Sequence, residues 1–200
     1  MRVLVGCETS GIVRDAFRAK SHDAWSCDVL SATSPWHITS DVRKVLQPGR
    51  WDMAIFHPPC TYLSASGMHW TTRGLRDPQL TLDALALVQT LMNAPIEKIA
   101  IENPIGRIST AIRKPDQIIQ PWMFGEDASK ATCLWLKGLP KLTHTEYVAP
   151  RWVRKGNKDY KRWANQTDSG QNRLGPSEDR WQKRSQTYAG IAQAMATQWG

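Results

Sequence analysis

The apolar run Met53-Ala54-Ile55-Phe56 stops on His57-Pro58-Pro59-Cys60, and that junction limits the possible folds more than any other stretch. A short apolar run bounded by prolines reads as a buried strand. Proline has no N–H to give a sheet ladder, so Pro58 and Pro59 end the strand. Cys60 then stands in a loop beyond the strand's carboxyl end, where open α/β sheets bind ligands. A thiol there is either a small buried hydrophobe or a nucleophile.

The same pattern recurs along the chain. Arg2-Val3-Leu4-Val5-Gly6 reads as a first buried strand, Cys7-Glu8-Thr9-Ser10-Gly11 as a turn, and residues 12–19 have apolar positions at helical spacing. Ser10 is placed to cap that helix. Asp23-Ala24-Trp25-Ser26-Cys27-Asp28 reads as a second strand ending on an acid. Asp28 is either a ribose-facing carboxylate or a solvated loop acid. Residues 37–42 end a third strand, with Asp41 either in a similar position or capping a short helix. Lys98-Ile99-Ala100-Ile101 is another buried strand, with Glu102-Asn103-Pro104 expected in the loop after it, and residues 131–136 are a further one. Strands alternating with helices predict an α/β fold with a doubly wound, mostly parallel sheet. Parallel strands would bring Glu102 and Asn103 to the same edge as Cys60.

Between these strands, residues 61–76 are rich in Ser, Gly, Thr and His and read as a long loop, more often functional than idle at that length. His57 and His69 either orient this loop, touch phosphate or are plain loop polar residues. Asp77-Pro78 has the form of a helix start. The apolar positions that follow (Leu80, Leu82, Leu85, Leu87, Val88, Leu91, Met92) predict a broad face packed on the sheet.

The chain has 200 residues, enough for one domain with a small appendage. Its charge of +8 suggests a polyanionic partner. Residues 150–184 contain ten basic and four acidic side chains, a net +6. Arg151, Arg154, Lys155, Lys158, Lys161 and Arg162 are interleaved there with Trp152, Tyr160, Trp163 and Trp181. Cations for phosphates and flat rings for bases hold single-stranded or extruded nucleotides; a disordered basic loop has the same composition. The expected organisation is a core of residues 1–149, a basic segment of residues 150–184, and a helix over residues 186–199 returning to the core. The four cysteines are far apart with no CxxC pair, which suggests neither a zinc ribbon nor a disulfide scaffold. No apolar run approaches membrane-spanning length, and the first is too short for a signal segment. A cytoplasmic protein with free thiols is the expectation.

Cys60 and Glu102 together suit pyrimidine chemistry. Cytosine C5 is a poor nucleophile. Adding a thiolate at C6 while an acid protonates N3 makes an enamine whose C5 attacks a methyl donor. An acid held near neutrality by burial suits the second task. With Pro59-Cys60 after one strand and Glu102-Asn103-Pro104 after the next, the chain resembles the cytosine-C5 DNA methyltransferases, in particular their small phage and prophage forms. That resemblance implies a Rossmann-like class I methyltransferase fold, S-adenosylmethionine as cofactor and DNA as partner. It makes Cys60 the nucleophile, Glu102 the acid at N3 and Asn103 the support of the Cys60 loop. It assigns cofactor contacts to Cys7, Glu8, Thr9, Ser10, Gly11, Asp28, Asp41, Val42 and Pro58, and to Thr187 in the final motif. Lys130 and Thr132 stand where the family has two arginines that brace the active site and cytosine. Thr61 replaces the family's Gln after Cys, and the recognition region is short. The same chemistry on dCMP or RNA, and a non-catalytic DNA- or partner-binding relative, are the alternatives.

Overall fold

The computed structural model describes residues 1–177 and 184–200; Glu178, Asp179, Arg180, Trp181 and Lys183 of the basic segment lie outside the described residues. A mixed sheet of seven strands forms among the described residues: β1 (Arg2–Gly6), β2 (Asp23–Asp28), β3 (His37–Thr39), β4 (Met53–Phe56), β5 (Lys98–Pro104), β6 (Gln117–Ile119) and β7 (Thr132–Lys137). Their order is β3-β2-β1-β4-β5-β7-β6. β1 pairs in parallel with both β2 and β4, and β4 with β5, whereas β7 is antiparallel to β5 and β6.

Side-chain alternation explains why the sheet is covered on both faces. Val3, Val5, Met53 and Ile55 point to one side, where they meet Val13 and Phe17 of α1 (Ile12–Ala19). Ile191, Met195 and Trp199 join them there from the closing segment. Leu4, Ala54, Phe56, Ile99 and Ile101 point to the other side and meet Val88 and Leu91. Those two lie on a helix of residues Gln79–Met92. It is preceded by two shorter features: a 3-10 turn at Cys60–Tyr62 and α2 (Ala65–Thr72). The Gln79–Met92 helix is α3, α4 is Ile108–Ala111 and the final helix, α5, is Ala189–Gln198. Burying one Leu or Ile side chain stabilises by about 1.5–3 kcal/mol, so the two layers hold the strands in register. The strand order reverses between β1 and β4, and this switch point opens the crevice in which such sheets bind ligands. No helix among the described residues is long and apolar enough to cross a membrane.

The structure differs from the sequence reading at several places, β6 among them, which had no counterpart in that reading. Glu102 and Asn103 belong to β5, because antiparallel β7 continues the ladder opposite them, pairing Glu102 with Leu134 and Asn103 with Cys133. Residues 61–76 are not a plain loop: α2 forms there, with the Ser64 hydroxyl accepting from Gly67 N–H at 3.1 Å. In α3, Leu80 and Leu82 are exposed, so the buried face is narrower than its leucines suggested. The last helix begins at Ala189 rather than Gln186; Glu126 Oε1 accepts from Gly190 N–H at 3.0 Å and fixes its start there. The basic segment begins as a hairpin, β8 (Arg151–Lys155) and β9 (Lys158–Arg162), turning at Gly156 with φ 60°.

Candidate active site

The end of β1 sets the first part of the site. Cys7 takes φ 60°, a left-handed conformation uncommon for a residue with a side chain, and its N–H donates to Cys27 O at 2.7 Å. The chain thereby turns sharply off the strand. Gly11 follows at φ 75°, packed so tightly on the Arg14 guanidinium that a Cβ would lie 2.1 Å from it. Ser10 is not the principal cap of α1. Glu8 reaches forward instead, its Oε1 accepting from Val13 N–H at 3.1 Å and from the Ser10 hydroxyl at 3.0 Å. Glu8 is buried, and its Oε2 has no partner among the described residues. Thr9 is half-buried in the same turn.

Asp28 ends β2 at the same edge, its Oδ1 accepting from Leu30 N–H at 2.9 Å. Asp41 and Val42 follow β3 at the start of a short 3-10 turn. The Asp41 carboxylate caps the 3-10 turn after it and is held by Arg43 at 3.0 Å. That ion pair and hydrogen bond pull the Asp41 carboxyl down to about 2. Val42 is buried in the same core cluster as Phe56 and Leu4. Sequence left capping as one of two roles for Asp41, and the adjacent Arg43 decides it.

The second part is the Cys60 loop. The Asn103 amide donates to Pro58 O at 2.7 Å, a buried bond that ties the loop to β5. Pro58 is itself buried, so what it offers is this anchored carbonyl. Beyond Cys60, Leu63 and Ser64 both donate to Cys60 O, and Arg107 N–H donates to Leu63 O at 2.6 Å. Gly106 makes this approach possible. A Cβ on it would lie 2.0 Å from Leu63 O, a backbone atom that cannot step aside alone. Replacing Gly106 by Ala is expected to push the Cys60 loop outward. The unfolding midpoint should fall by the equivalent of about 1–3 kcal/mol, measured by urea titration.

The third part is a buried pair that the sequence did not single out. His57 Nδ1 lies 2.8 Å from Glu102 Oε2, both side chains almost fully covered. Burial pushes the Glu102 carboxyl up, but the His57 hydrogen bond and the Lys130 charge outweigh it and hold it below the ordinary carboxylate range. The resting acid is therefore ionised, which corrects the expectation of a carboxyl kept near neutrality. Burial likewise works against charge on His57, and is outweighed by the bond and charge of Glu102 and then by Glu8, so its value is raised. Cys60 is half-buried; burial and the Glu102 charge push its thiol up, with Lys130 opposing. It rests protonated. Burial raises Cys7 to about 12 and Cys27 to about 11, and raises Cys133 too.

Lys130 and Thr132 lie beside Glu102 in this centre. Thr132 is buried at the start of β7, with its hydroxyl 3.1 Å from Lys130 O and beside the Glu102 carboxylate. Lys130 Nζ donates to Gln186 O at 3.3 Å. Glu102, Lys130, Thr132 and Thr187 line one small cleft together with Tyr188 and Ile191. Tyr188 had no signal in the sequence beyond its nearness to Thr187.

The basic hairpin forms a two-stranded sheet of its own. Lys155 faces Lys158 at its tip, and Trp152 faces Lys161, whose ammonium lies 5.4 Å from the Trp152 ring. Trp152 is 63% exposed, whereas Trp163 is 7% exposed. Trp163 stacks on Trp122 at 5.3 Å, which removes it from the set of rings open to a base. Arg151 and Arg162 brace the following turn: Arg151 pairs with Asp168 at 2.6 Å, and Arg162 Nε donates to Asp168 O at 3.2 Å. Arg154, Lys155, Lys158 and Lys161 remain as the exposed cations of the ribbon. No protein-family model matches this chain, and no curated protein matches it in sequence.

Proposed function

We propose that this chain is an S-adenosylmethionine-dependent methyltransferase acting on C5 of cytosine in DNA. The observation that carries the reading is the convergence, at the carboxyl edge of β4 and β5, of Cys60 on a loop pinned by Asn103 with a buried carboxylate, Glu102. Cys60 would add to C6 of the base, Glu102 would serve N3, and Asn103 would keep the two in register. When bound, the cofactor supplies the methyl group. The residues present fit it: Glu8 Oε2 is a buried acceptor at the end of β1 with no partner among the described residues, suited to an ammonium, and Thr187 lines the cleft beside Glu102.

The hairpin supports a nucleic-acid substrate. Like charges facing each other across a ladder are destabilising, so Lys155 opposite Lys158 makes sense where an anion lies between them. A two-stranded ribbon is also a shape that the B-DNA major groove admits. The target base must leave the stack, at a cost of a few kcal/mol. Replacing Lys155 and Lys158 together by Ala should weaken duplex binding and lower the slope of log K against log salt by about 2. Fluorescence anisotropy across a salt series measures it; an unchanged slope removes the hairpin from the interface.

The direct test of the activity is labelled-methyl transfer to duplex DNA, single-stranded DNA, RNA and dCMP side by side. Label on cytosine C5 in DNA is the expected result. Label on dCMP or RNA alone would move the same chemistry to that substrate, and no label on any of them would leave a binding protein.

A further inference from the structure

We propose that His57 is a positioning residue that stores the proton used at N3, handing it through the Glu102 carboxyl to the target base. The inference rests on the cytosine-C5 reading of the site, with the roles proposed there for Cys60 and Glu102, and adds His57 to them. Its basis is geometric. His57 directly follows β4, and its N–H donates to Gly6 O at 2.9 Å, beside the β1 exit that leads to Glu8. Its imidazole is turned inward, with Nδ1 2.8 Å from Glu102 Oε2. Nε2 is buried with no partner among the described residues, and so is Glu8 Oε2. One is a donor when His57 is charged, and the other is an acceptor. The charged groups that face His57 are Glu102 from β5, Glu8 from the β1 turn and Lys130 from the approach to β7. Two of the three are anions, and their effect exceeds that of burial and Lys130 together.

A resting state with Glu102 ionised and Cys60 protonated leaves the chemistry short of a proton in the right place. The imidazolium supplies it. In the addition step the Cys60 Sγ–H bond breaks and its proton leaves to solvent. The Sγ–C6 bond forms, the C5–C6 π pair moves to C4–C5, and the C4–N3 π pair takes a proton at N3 from the Glu102 carboxyl. Glu102 receives that proton from His57 Nδ1, which ends neutral. On elimination the C5–H proton leaves to solvent, its bonding pair re-forms the C5–C6 π bond as the Sγ–C6 bond breaks, the thiolate takes a proton from solvent, and the N3 proton returns along the same path. Histidine suits this work because its charge changes between about pH 5 and 8.

The test compares the wild-type chain with His57→Asn, whose amide can still donate to Glu102 but carries no transferable proton. The readout is the rate of covalent trapping on a duplex oligonucleotide containing 5-fluorocytosine, with cofactor present, from pH 5.5 to 8.5. His57→Asn should trap about 10²–10⁴-fold more slowly at pH 8, with the gap closing as pH falls and solvent protonates Glu102. His57→Gln is the reserve if the Asn variant does not fold. Trapping by His57→Asn at the wild-type rate with the wild-type pH profile would overturn the proposal. Imidazole nitrogen NMR on the cofactor-free chain gives a readout independent of activity. His57 should remain an imidazolium above pH 6.5 in the wild type and lose that charge in Glu102→Gln. A neutral His57 at pH 6.5 in the wild type overturns the proton store even if trapping is normal. Absence of trapping by the wild type overturns the functional reading and the transfer step with it, while the NMR result still decides where the proton rests.

Discussion

Replacing Cys60 by Ala is expected to abolish methyl transfer and covalent trapping, a loss of about 10⁴-fold or more. The fold should survive it. Cys60 is half-buried, and the loop is held through backbone atoms: Asn103 to Pro58 O, Leu63 and Ser64 to Cys60 O, Arg107 to Leu63 O. None of those bonds uses the thiol. Cofactor binding and hairpin-mediated DNA binding should therefore stay at wild-type levels, measured by calorimetry and anisotropy. Labelled-methyl transfer by Cys60→Ala at even a tenth of the wild-type rate would rule out the covalent route.

The second large effect is expected at Glu102. Glu102→Gln keeps the shape but removes the charge that faces His57 and the carboxyl that serves N3. Transfer should fall by about 10²–10⁴-fold. Stability should fall too, because the buried ion pair is lost and His57 must give up its proton in the variant. The pH dependence separates the two roles. His57 is raised, so its contribution is complete below its unfolded value of about 6.5 and disappears as pH rises through the raised value. Glu102 is lowered, so its contribution is complete above about 4.3 and is lost as pH falls through the lowered value. The difference in urea midpoint between wild type and Glu102→Gln should thus be widest between about pH 4.3 and 6.5. It should shrink on the alkaline side once His57 deprotonates. A gap that stays constant from pH 5 to 9 would show that the pair is not ionised.

Much of the sheet was readable in the chain because buried parallel strands are short apolar runs with sharp ends. Pro58 and Pro59 mark the end of β4 by lacking donors, and Asp28 marks the end of β2 by its charge. Glu102 and Asn103 misled for a physical reason: polar residues normally end a buried strand. Here an antiparallel neighbour, distant in sequence, gives their backbone a ladder. The segment around α2 misled because Ser, Gly and Thr are weak helix formers. The Ser64 cap, and a Gly67 backbone too close to Thr61 O to admit a side chain, decide it locally. In the basic segment, composition could not distinguish Trp152 from Trp163. The stacking partner of Trp163 is Trp122, about forty positions away and invisible to any local pattern.

The sequence by itself located β1 to β5 and β7, the layered architecture and the proposed pairing of Cys60 with Glu102, because hydrophobic period and proline chemistry are local properties. Tertiary structure alone decided the charge state of that pair. Whether Glu102 is ionised depends on His57, Lys130 and Thr132 arriving from two other parts of the chain, and the balance between burial and nearby charge exists only once those segments meet.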